Sequence, residues 1–494
     1  MISAYEHKYV SLPEDKSSLL RELLPFFEEG LGNSAWLVGG SIRDLFTKKG
    51  DFTDIDIATK NDPIAAAKRF AASQRAGLVV LDDKRGIVRI ILPERNGVSF
   101  TLDIAKFKGE NIDTDLQNRD FTLNAMSADL IANRAELASN RLRLYDPLNG
   151  AQALHKKILI PCSKDSILDD PLRIMRAIRF SASLKAQPDN DLINQIREHL
   201  PKLSSVSPER IRDELMKTLR EPDSHTYIKM MGELGITAEI LPELASCTGI
   251  TQNQWHHLDV YDHTLFALEN LEDILLKPFN FSYDKLLRKH LNEYISGDTT
   301  YLQLLKLSIL LHDIAKPNCR AIAEDTGNIT FHGHEIQGRA MAENIAKRLK
   351  FSTRENNFLK NVIKNHMRPG VIIQQGMTDR IMYRFYKECG RDGVFISLLS
   401  LADRMAARGD LSDNDLEEFT ASIFKLIANF YDQLGSFKQK PLLSGNDIIK
   451  LFKIKPGPKI KEYLAEAEEA QYLGKISTKK EALELLASRY QITL

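Results

Sequence analysis

Two hydrophobic patterns divide the chain. Up to about residue 130, short runs alternate between apolar and polar positions at 52–58, 78–81, 87–92 and 98–107, and the apolar run 35–38 precedes them. Such runs predict five strands of a small sheet. The leucines between 19 and 24 share one helical face with Phe27, which predicts a helix over 11–30 ahead of the first strand.

From about residue 150 the apolar positions follow a helical period instead. Segments 169–184 and 207–222 show it clearly, and Ser207 with Pro208 forms a good helix opening, because serine caps the first turn and proline suits its first position. The charged stretch 280–300 predicts a loop or an insertion, and a boundary near 435–441 precedes a Lys-rich tail. The predicted fold class is α+β, with a small sheet first and helices afterwards.

Composition narrows the possible functions. The 494 residues are 43% hydrophobic and 27% charged, enough for more than one core. Lys plus Arg and Asp plus Glu both number 67, which excludes a globally basic nucleic-acid coat but not a local basic track. Four widely spaced Cys without a CxxC pair exclude a disulfide framework and a zinc ribbon. With no apolar leader and no long apolar run, we expect a cytoplasmic protein without a membrane partner.

Three carboxylates in the first part of the chain suggest a metal site. Asp54 and Asp56 lie two apart in a predicted strand, so both project from one face, and Asp103 in another strand would add a third. Such a set suits two Mg²⁺ ions that hold the attacking and leaving oxygens of a phosphoryl transfer. At a strand-to-helix turn, Gly39 and Gly40 allow backbone amides to approach a triphosphate.

A second pattern points to a nucleotide base. Arg173, Arg176 and Arg179 fall three apart on one helix face, which a core would accept only if anions faced them. Asp170 offers an acceptor and Arg173 a fork of donors. Together these two side chains match the hydrogen-bonding edge of C or of A, but not that of G or U.

Histidines cluster in the second half of the chain. Eight of the twelve lie between 256 and 366, far from an even spread. With nearby aspartates they form an ordered series: His263, His312, Asp313, His332, His334, His366 and Asp403. Imidazoles and carboxylates without a thiolate favour a hydrolytic divalent-metal site over structural zinc.

Four motifs carry a family resemblance, namely LVGGSIRD at 37–44, DID at 54–56, RDFTLNA at 119–125 and DDPLRIMRAIRF at 169–180. In this order they resemble the bacterial class II tRNA nucleotidyltransferase/poly(A) polymerase family over roughly residues 30–220. The resemblance implies a polymerase-β-like nucleotidyltransferase head at 1–135 and a helical neck at 136–220. An HD-type helical body at 221–430 and a helical tail at 431–494 would follow.

The resemblance also implies what the motif residues do. Asp54 and Asp56 would bind the catalytic Mg²⁺ ions, with Asp103 as a third catalytic carboxylate. Ten residues would bind the nucleotide: Gly39, Gly40, Arg43, Asp44, Arg119, Asp120, Asp170, Arg173, Arg176 and Arg179. Among them Gly40 and Arg43 would hold the triphosphate, Arg119 and Asp120 would test the ribose, and Asp170 with Arg173 would serve as a protein template for the base.

This sequence departs from the family pattern in three places. Asn118 replaces the first arginine of the usual pair before Asp120, and Asp169 replaces the usual glutamate before Asp170. The interval between Asp103 and Arg119 is short, whereas CCA-adding and A-adding relatives carry a longer flexible loop there and relatives that add only CC lack it. We therefore expect addition of CC to tRNA from CTP, with complete CCA addition (using ATP as well) and poly(A) synthesis as alternatives.

The histidine series resembles the HD phosphohydrolase domain. This implies His263, His312, Asp313 and Asp403 as core ligands of a divalent transition metal such as Ni²⁺, Mn²⁺ or Co²⁺, with His334 and His366 at a second metal or a phosphate. The lysines at 450–461 suggest contact with RNA phosphates, and the tail resembles the one that touches the tRNA elbow. An alternative of another class is a phosphohydrolase whose head is a non-catalytic RNA-binding module.

Overall fold

The structure is a computed structural model that describes residues 9–47, 53–95, 97–252, 258–277, 281–407, 413–433 and 440–491. Its chain divides into two compact units, Met1–Arg210 and Ile211–Leu494. Most of the boundary predicted at 435–441 lies outside the described residues. No helix in the described ranges is both long enough and apolar enough to cross a membrane.

The first unit contains all the strands of the main sheet. Its strands are β1 (Tyr9–Ser11), β2 (Trp36–Val38), β3 (Asp54–Thr59), β4 (Gly77–Asp82), β5 (Ile87–Ile91), β6 (Thr101–Lys106), β7 (Ser127–Asp129), β8 (Arg141–Arg143), β9 (Ile158–Leu159) and β10 (Gln187–Pro188). Six of them form one sheet in the order β4-β5-β6-β3-β2-β7, in which only the pair β3 and β6 is parallel. The five predicted strands are all present. The sixth strand, β7, has only three residues, which are too few to show an alternating pattern.

Helices complete the first unit. They are α1 (Glu14–Pro25), α2 (Gly40–Thr47), α3 (Ile64–Gln74), α4 (Ile112–Gln117), α5 (Arg134–Ala138), α6 (Gly150–Lys156), α7 (Ser166–Asp169), α8 (Arg173–Leu184) and α9 (Asn190–His199). The next helix, α10 (Pro208–Leu219), begins in this unit and continues into the second. The predicted helix over 11–30 is α1 followed by a π-helical turn at Phe26–Gly30. The leucine face of α1 and Phe27 are buried in the core beneath the sheet, as the pattern predicted.

The alternation in β3 and β6 places the core residues on one face of the sheet and the aspartates on the other. Ile55 and Ile57 of β3 and Leu102 and Ile104 of β6 are buried in the same hydrophobic core. Successive side chains of a strand point to opposite faces, so the aspartates between these residues lie on the other face of the sheet. The hydrophobic core therefore fixes the register that brings the carboxylates together.

The second unit is almost entirely helical. Its helices are α11 (Ser224–Glu233), α12 (Ile236–Ile240), α13 (Pro242–Ala245), α14 (Val260–Leu276), α15 (Asp284–Leu291), α16 (Tyr301–Leu311), α17 (Lys316–Cys319), α18 (His334–Arg348), α19 (Thr353–Asn365), α20 (Arg368–Gln374), α21 (Asp379–Cys389), α22 (Asp392–Ala406), α23 (Asp413–Asp432), α24 (Gly445–Phe452), α25 (Pro458–Tyr472) and α26 (Lys479–Arg489). Two small hairpins pair β11 (Tyr294–Ser296) with β12 (Thr299–Thr300) and β13 (Ala321–Ile322) with β14 (Ile329–Thr330).

Of the loop or insertion predicted at 280–300, the loop is wrong for most of that stretch. Residues 284–291 form α15, and 294–300 hold the hairpin of β11 and β12. Leu287 and Leu291 are buried, while the charged residues between them cover the outer face of this short helix. A two-turn helix contains too few apolar positions for its period to stand out against so much charge.

The last three helices form a small cluster with its own core of Ile448, Ala467, Ala482 and Leu486. They attach to α21 largely through charge. Glu469 forms ion pairs with Arg380 at 2.5 Å and with Arg384 at 2.9 Å. Nearby, the rings of Tyr383 and Tyr472 lie 4.3 Å apart between centroids. Side chains rather than main-chain pairing therefore hold the tail helices against α21.

Candidate active site

The sheet register places two of the predicted catalytic carboxylates side by side. Asp56 of β3 and Asp103 of β6 are direct partners across the parallel pair, and Asp54 lies two residues before Asp56 on the same face. Ser41 at the start of α2 secures this strand, because its hydroxyl accepts a hydrogen bond from the Asp56 amide at 2.9 Å and donates one to the Asp54 carbonyl oxygen at 3.1 Å.

A glycine turn closes over the carboxylates. Gly39 has a φ of +66°, a left-handed conformation that favours glycine. A Cβ at this position would lie 3.0 Å from an Nη of Arg119 and 3.6 Å from an Oδ of Asp56. At Gly40 a Cβ would lie 3.4 Å from an Nη of Arg43. The two glycines thus let the chain pass close to both arginines and to the carboxylate.

The carboxyl group of Asp56 has a raised pKa. Burial raises its pKa, the negative charges of Asp103 and Asp54 raise it further, and the opposing effect of Arg119 leaves the pKa at about 6. A bound cation would favour the ionised form. Because the donors here are all carboxylate oxygens, they fit the hard-cation preference of Mg²⁺.

Asp103 is held by a residue that the sequence did not point to. Arg89 of β5 donates from Nε to one Asp103 oxygen and from an Nη to the other, each at 2.7 Å. Among the described residues, groups of three or more His, Cys, Asp or Glu whose ligand atoms lie within 4.8 Å of one another occur only in the second unit. The three head carboxylates are therefore adjacent but not gathered that closely.

A hydrogen-bonded chain links the glycine turn to α8. Arg43 donates to the side-chain oxygen of Asn124 at 2.7 Å, and the Asn124 amide donates to Asp120 at 3.0 Å. The other Asp120 oxygen accepts from Arg176 at 2.9 and 2.5 Å. Burial would raise the pKa of Asp120, but Arg176 and the Asn124 hydrogen bond outweigh burial and lower the pKa.

Phe180 of α8 organises the arginines of this pocket. The guanidinium carbon of Arg179 lies 4.0 Å from its ring centroid, and those of Arg43 and Arg176 lie 5.2 Å away. The negative face of an aromatic ring attracts cations, so the ring stabilises three like charges in a small space. Such a concentration of positive charge suits a polyphosphate.

These side chains line one pocket of about 440 Å³. It brings together nine of the predicted site residues: Gly39, Gly40, Arg43, Asp56, Asp103, Arg119, Asp120, Arg176 and Arg179. Arg43 also pairs with Asp44 at 2.7 Å, and Arg119 pairs with Asp115 at 2.9 Å. The arrangement can therefore hold an anionic ligand beside a carboxylate metal site.

Asp170 and Arg173, which were predicted to read the base, form hydrogen bonds with other residues of the protein. Asp170 accepts from Arg210 at 3.0 Å. Arg173 is buried, and its guanidinium donates to the carbonyl oxygens of Ser166 and Asn118 at 3.0 and 2.6 Å. The expectation that anions must face every arginine of this helix is wrong for Arg173, because main-chain carbonyl oxygens satisfy its donors.

In the second unit the structure gathers the histidine series into two groups. One contains His263, His312, Asp313 and Asp403, and the other contains Asp313, His334 and His366. In each group the ligand atoms lie within 4.8 Å of one another, and Asp313 belongs to both. The six residues predicted as ligands from the sequence therefore converge, and the shared Asp313 could bridge two metal ions.

Three of these imidazoles are oriented by the backbone. The Nδ1 atoms of His312, His334 and His366 lie 2.7, 2.8 and 2.7 Å from the carbonyl oxygens of Ile309, Phe331 and Ile363 respectively. A hydrogen bond at Nδ1 leaves Nε2 as the metal-binding nitrogen and fixes the ring. In keeping with this, the Nε2 atoms of His334 and His366 lie 3.3 Å apart.

The charges of this second site call for a cation. Burial lowers the pKa of His312, but the carboxylates of Asp313 and Asp403 outweigh burial and raise it to about 10. Burial and the charge of His312 lower the pKa of His366 to about 4. A proton on His312 thus supplies positive charge that a divalent ion could replace, and neutral imidazoles beside two carboxylates fit such an ion.

The surrounding pocket has a volume of about 960 Å³ and a lining of mixed charge. Lys316 lies 2.6 Å from Asp313. The other charged side chains of the lining, apart from the ligand groups, are Lys364, Arg368, Arg404, Glu335, Asp415 and Glu418. His332, the remaining histidine of the series, also lines the pocket. A pocket of this size that contains lysine and arginine side chains could admit a phosphate ester.

Several residues of the two sites escaped the sequence analysis. Ser41, Asn124 and Phe180 all lie inside the recognised motifs, so their positions were a signal that could have been used. Lys316 lies one turn after Asp313, where a helical reading would have found it. Arg89 gave no such signal, because its contact depends on the register between β5 and β6.

Three family models match separate parts of the chain. "Poly A polymerase head domain" matches residues 35–160, "Probable RNA and SrmB- binding site of polymerase A" matches 187–248, and "tRNA nucleotidyltransferase domain 2 putative" matches 329–487. They follow one another along the chain, with residues 161–186 and 249–328 unmatched between them.

Relatives are similar over almost the whole chain. The A-adding tRNA nucleotidyltransferase of Deinococcus radiodurans is 33% identical over 471 residues, which cover 94% of this chain and 96% of that enzyme. The CC-adding tRNA nucleotidyltransferase of Thermus thermophilus is 27% identical and covers 91% of this chain and 92% of that enzyme. The chain therefore belongs to the tRNA nucleotidyltransferase and poly(A) polymerase family, and is an enzyme of that family.

Solved structures of the same family share the fold. A CCA-adding enzyme in an apo form covers 98% of both chains, with a TM-score of 0.64 and 19% identity. The Thermotoga maritima CCA-adding enzyme complexed with tRNA covers 98% of this chain and 100% of that chain, with a TM-score of 0.61 and 19% identity. This likeness confirms the predicted α+β fold, with a sheet in the head and helices in the remainder.

Proposed function

We propose that this enzyme adds nucleotides to the 3′ end of tRNA from CTP, at the pocket around Asp56. The RNA 3′ hydroxyl attacks the α-phosphorus of CTP, a phosphodiester bond forms, and pyrophosphate leaves. Family membership and the curated relatives support the reaction class. The pocket supports the location, because it places a carboxylate pair beside a group of arginines.

Each part of the pocket has a place in this proposal. Asp54, Asp56 and Asp103 would hold Mg²⁺, which when bound lowers the pKa of the attacking hydroxyl and neutralises charge on the phosphates. The arginines around Phe180 bind and orient the triphosphate, and the glycine turn allows close approach of the main chain. The hydrogen bond between Asn124 and Asp120 keeps Arg43 and Arg176 in fixed relation.

For the product, we propose addition of two C residues and no A. The observation that carries this is the compact segment between Asp103 and Arg119. Asn111 and Thr114 close a capping box at the start of α4. The Asn118 side chain donates to the carbonyl oxygens of Lys108 and Thr114 at 2.8 and 2.7 Å. A short segment held by its own hydrogen bonds does not act as the flexible loop that resets the pocket for ATP.

The product ladder tests this proposal. A tRNA that lacks all three terminal nucleotides is incubated with CTP and ATP together, and a tRNA that ends in CC is incubated with ATP alone. We expect the first ladder to stop at CC and the second RNA to stay unextended. Efficient A addition to the CC end would overturn CC specificity and match the activity named for the Deinococcus relative. Long A tails would indicate poly(A) synthesis.

For base selection we propose that Asp170 and Arg173 act as the protein template. Asp170 must exchange Arg210 for the base, and this ion pair is half-exposed and therefore weak. Rejection of GTP and UTP by wild type, with relaxed selection in Asp170→Ala, would support the assignment. Unchanged selection in Asp170→Ala would contradict it. Arg210→Ala, which releases Asp170, provides the matched control and should retain selectivity.

We propose a second activity for the histidine site, namely metal-dependent hydrolysis of phosphomonoesters or 2′,3′-cyclic phosphates. The supporting observation is the pair of ligand groups that share Asp313, in a pocket that also contains Lys316, Lys364, Arg368 and Arg404. The residues fit a divalent transition metal such as Ni²⁺, Mn²⁺ or Co²⁺. Lys316 and the other cationic side chains of the pocket would bind the phosphate.

Hydrolysis of p-nitrophenyl phosphate and of 2′,3′-cyclic AMP is measured with each metal in turn. We expect His312→Ala and Asp313→Ala to lose this activity and to keep nucleotide addition. A wild-type protein without hydrolysis in any metal would make the site structural. Loss of hydrolysis in Asp56→Ala, which leaves the histidine site intact, would place the activity in the head instead.

The exposed lysines at 450–461 suggest how the tail would contribute. Lys453 and Lys455 precede α25, and Lys459 and Lys461 lie in its first turn, where the positive helix end adds to their charge. We propose that this surface contacts tRNA phosphates, within the division into head (1–135), neck (136–220), body (221–430) and tail (431–494). Lys453→Glu with Lys455→Glu should weaken tRNA binding, whereas Lys479→Glu with Lys480→Glu on α26 is the control.

A further inference from the structure

We propose that Arg89 is a positioning residue of the nucleotidyl-transfer site. It holds Asp103 in place and keeps the affinity of the head carboxylates for a free divalent cation low until a nucleotide arrives. The inference rests on the proposed function of this site, because it takes Asp54, Asp56 and Asp103 as the metal ligands.

The register of three neighbouring strands supports this role. Arg89 of β5 is the direct partner of Asp103 on β6, and Asp103 is the direct partner of Asp56 on β3. The three residues therefore form one row across the sheet on the carboxylate face. The guanidinium of Arg89, at the end of this row, therefore belongs to the site, although Arg89 lies outside the four sequence motifs.

The contact between Arg89 and Asp103 is a bidentate fork. Both carboxylate oxygens accept from Arg89 at 2.7 Å, the geometry in which an arginine fixes the plane and position of a carboxylate. An ionised carboxylate has about four acceptor directions, so a fork that fills two leaves room for a metal. Arg89 therefore need not leave for Asp103 to act as a ligand.

Charge decides what Arg89 does to metal binding. Asp54, Asp56 and Asp103 attract a divalent ion together, and the positive charge of Arg89 offsets one of the three. It would also repel a cation held by Asp103 and Asp56. Metal that arrives with CTP brings phosphate ligands and their negative charge, and depends less on the protein carboxylates. Arg89 should therefore weaken binding of a free ion much more than binding of the metal–nucleotide complex.

Titration of the full-length protein with Mn²⁺ alone, followed by electron paramagnetic resonance, tests the inference. The Asp56→Ala protein measures the Mn²⁺ that binds elsewhere, including at the histidine site, and its curve is subtracted. We expect Arg89→Met to bind Mn²⁺ about tenfold more tightly than wild type, the order of effect of one charge close to a partly exposed site. With saturating CTP the difference should fall below about twofold, since the phosphates then supply most ligands.

Two variants separate charge from position. Arg89→Lys keeps the charge but loses the fork, so its Mn²⁺ affinity should stay within about twofold of wild type while its kcat falls about tenfold. Arg85→Met removes an exposed charge from the neighbouring turn and should change neither quantity. Equal or weaker Mn²⁺ binding by Arg89→Met would overturn the inference. If Asp56→Ala and wild type bind Mn²⁺ alike with saturating CTP, the proposed metal site itself fails, and the two failures are distinguishable.

Discussion

Arg176 and Asp120 are joined by two hydrogen bonds to a single carboxylate oxygen, from Nε at 2.9 Å and from an Nη at 2.5 Å. This contact connects α8 with the segment that follows Arg119. The other Asp120 oxygen accepts from Asn124, which in turn accepts from Arg43. Two arginines of the pocket around Asp56 are therefore positioned through one buried amide.

Asn124→Ala should break this connection. Arg43 and Asp120 each lose a partner, so we expect the KM for CTP to rise about tenfold, while kcat changes less, because the carboxylates are untouched. Steady-state kinetics on tRNA lacking CCA measures both values. The Thr122→Ala protein serves as a control in the same turn, and equal KM values for the two variants would contradict the role given to Asn124.

Loss of either strand carboxylate should remove catalysis and spare RNA binding. For Asp56→Asn and Asp54→Asn we expect nucleotide addition to fall by about a thousandfold or more, because transition-state charge loses its stabilisation. The Kd for tRNA, measured by filter binding, should stay near that of wild type. Asp83→Asn, in the turn after β4, is a matched control. Near-normal turnover in either variant would exclude the carboxylates from the chemistry.

The raised pKa of Asp56 predicts how activity depends on pH. The pKa of about 6 means that the ionised, metal-binding form is lost as the pH falls below 6. At low Mg²⁺ we expect the rate of addition to have a midpoint near pH 6 and to decrease towards acid. Cation binding favours the ionised carboxylate, so a higher Mg²⁺ concentration should move the midpoint to lower pH. A midpoint independent of Mg²⁺ would assign the titration to another group.

Stability of the second unit should depend on a buried ion pair. Lys306 and Glu272 lie 2.7 Å apart, and both side chains are 2% exposed. Lys306→Met leaves the buried Glu272 with His225, 2.6 Å away, as its remaining ion-pair partner, so the free energy of opening should fall by about 1.5–3 kcal/mol, the effect of losing one hydrogen bond to a charged group. Hydrogen exchange of the amides in α16 measures this change.

An exposed pair provides the comparison for Lys306. Lys480 pairs with Glu484 on α26, and its side chain is 85% exposed. Lys480→Met should change the opening free energy of α26 by less than about 1 kcal/mol. Similar losses for both lysines would mean that the burial of the Lys306 pair has little energetic effect.

Local patterns predicted the fold class, because strand alternation and helical period repeat at fixed spacing. The alternation that marked β3 and β6 also placed their aspartates on one face. The histidines and aspartates between 263 and 403 come from distant segments, and the family resemblance indicated that they would lie together. Other contacts between distant segments were beyond such reasoning. Arg89 depends on strand register, and the carbonyl oxygens around Arg173 come from the chain near Ser166 and Asn118.

The Nδ1 contacts of His312, His334 and His366 have a mechanical consequence. Each ring is tied to a carbonyl oxygen three residues earlier, so it moves with its own segment and not with its neighbours. The spacing between the Nε2 atoms then reports directly on the spacing between helices. Any motion that separates α18 from α19 would increase the distance between the Nε2 atoms of His334 and His366 without rotating either ring. The geometry of this site therefore depends directly on how the helices of the second unit pack.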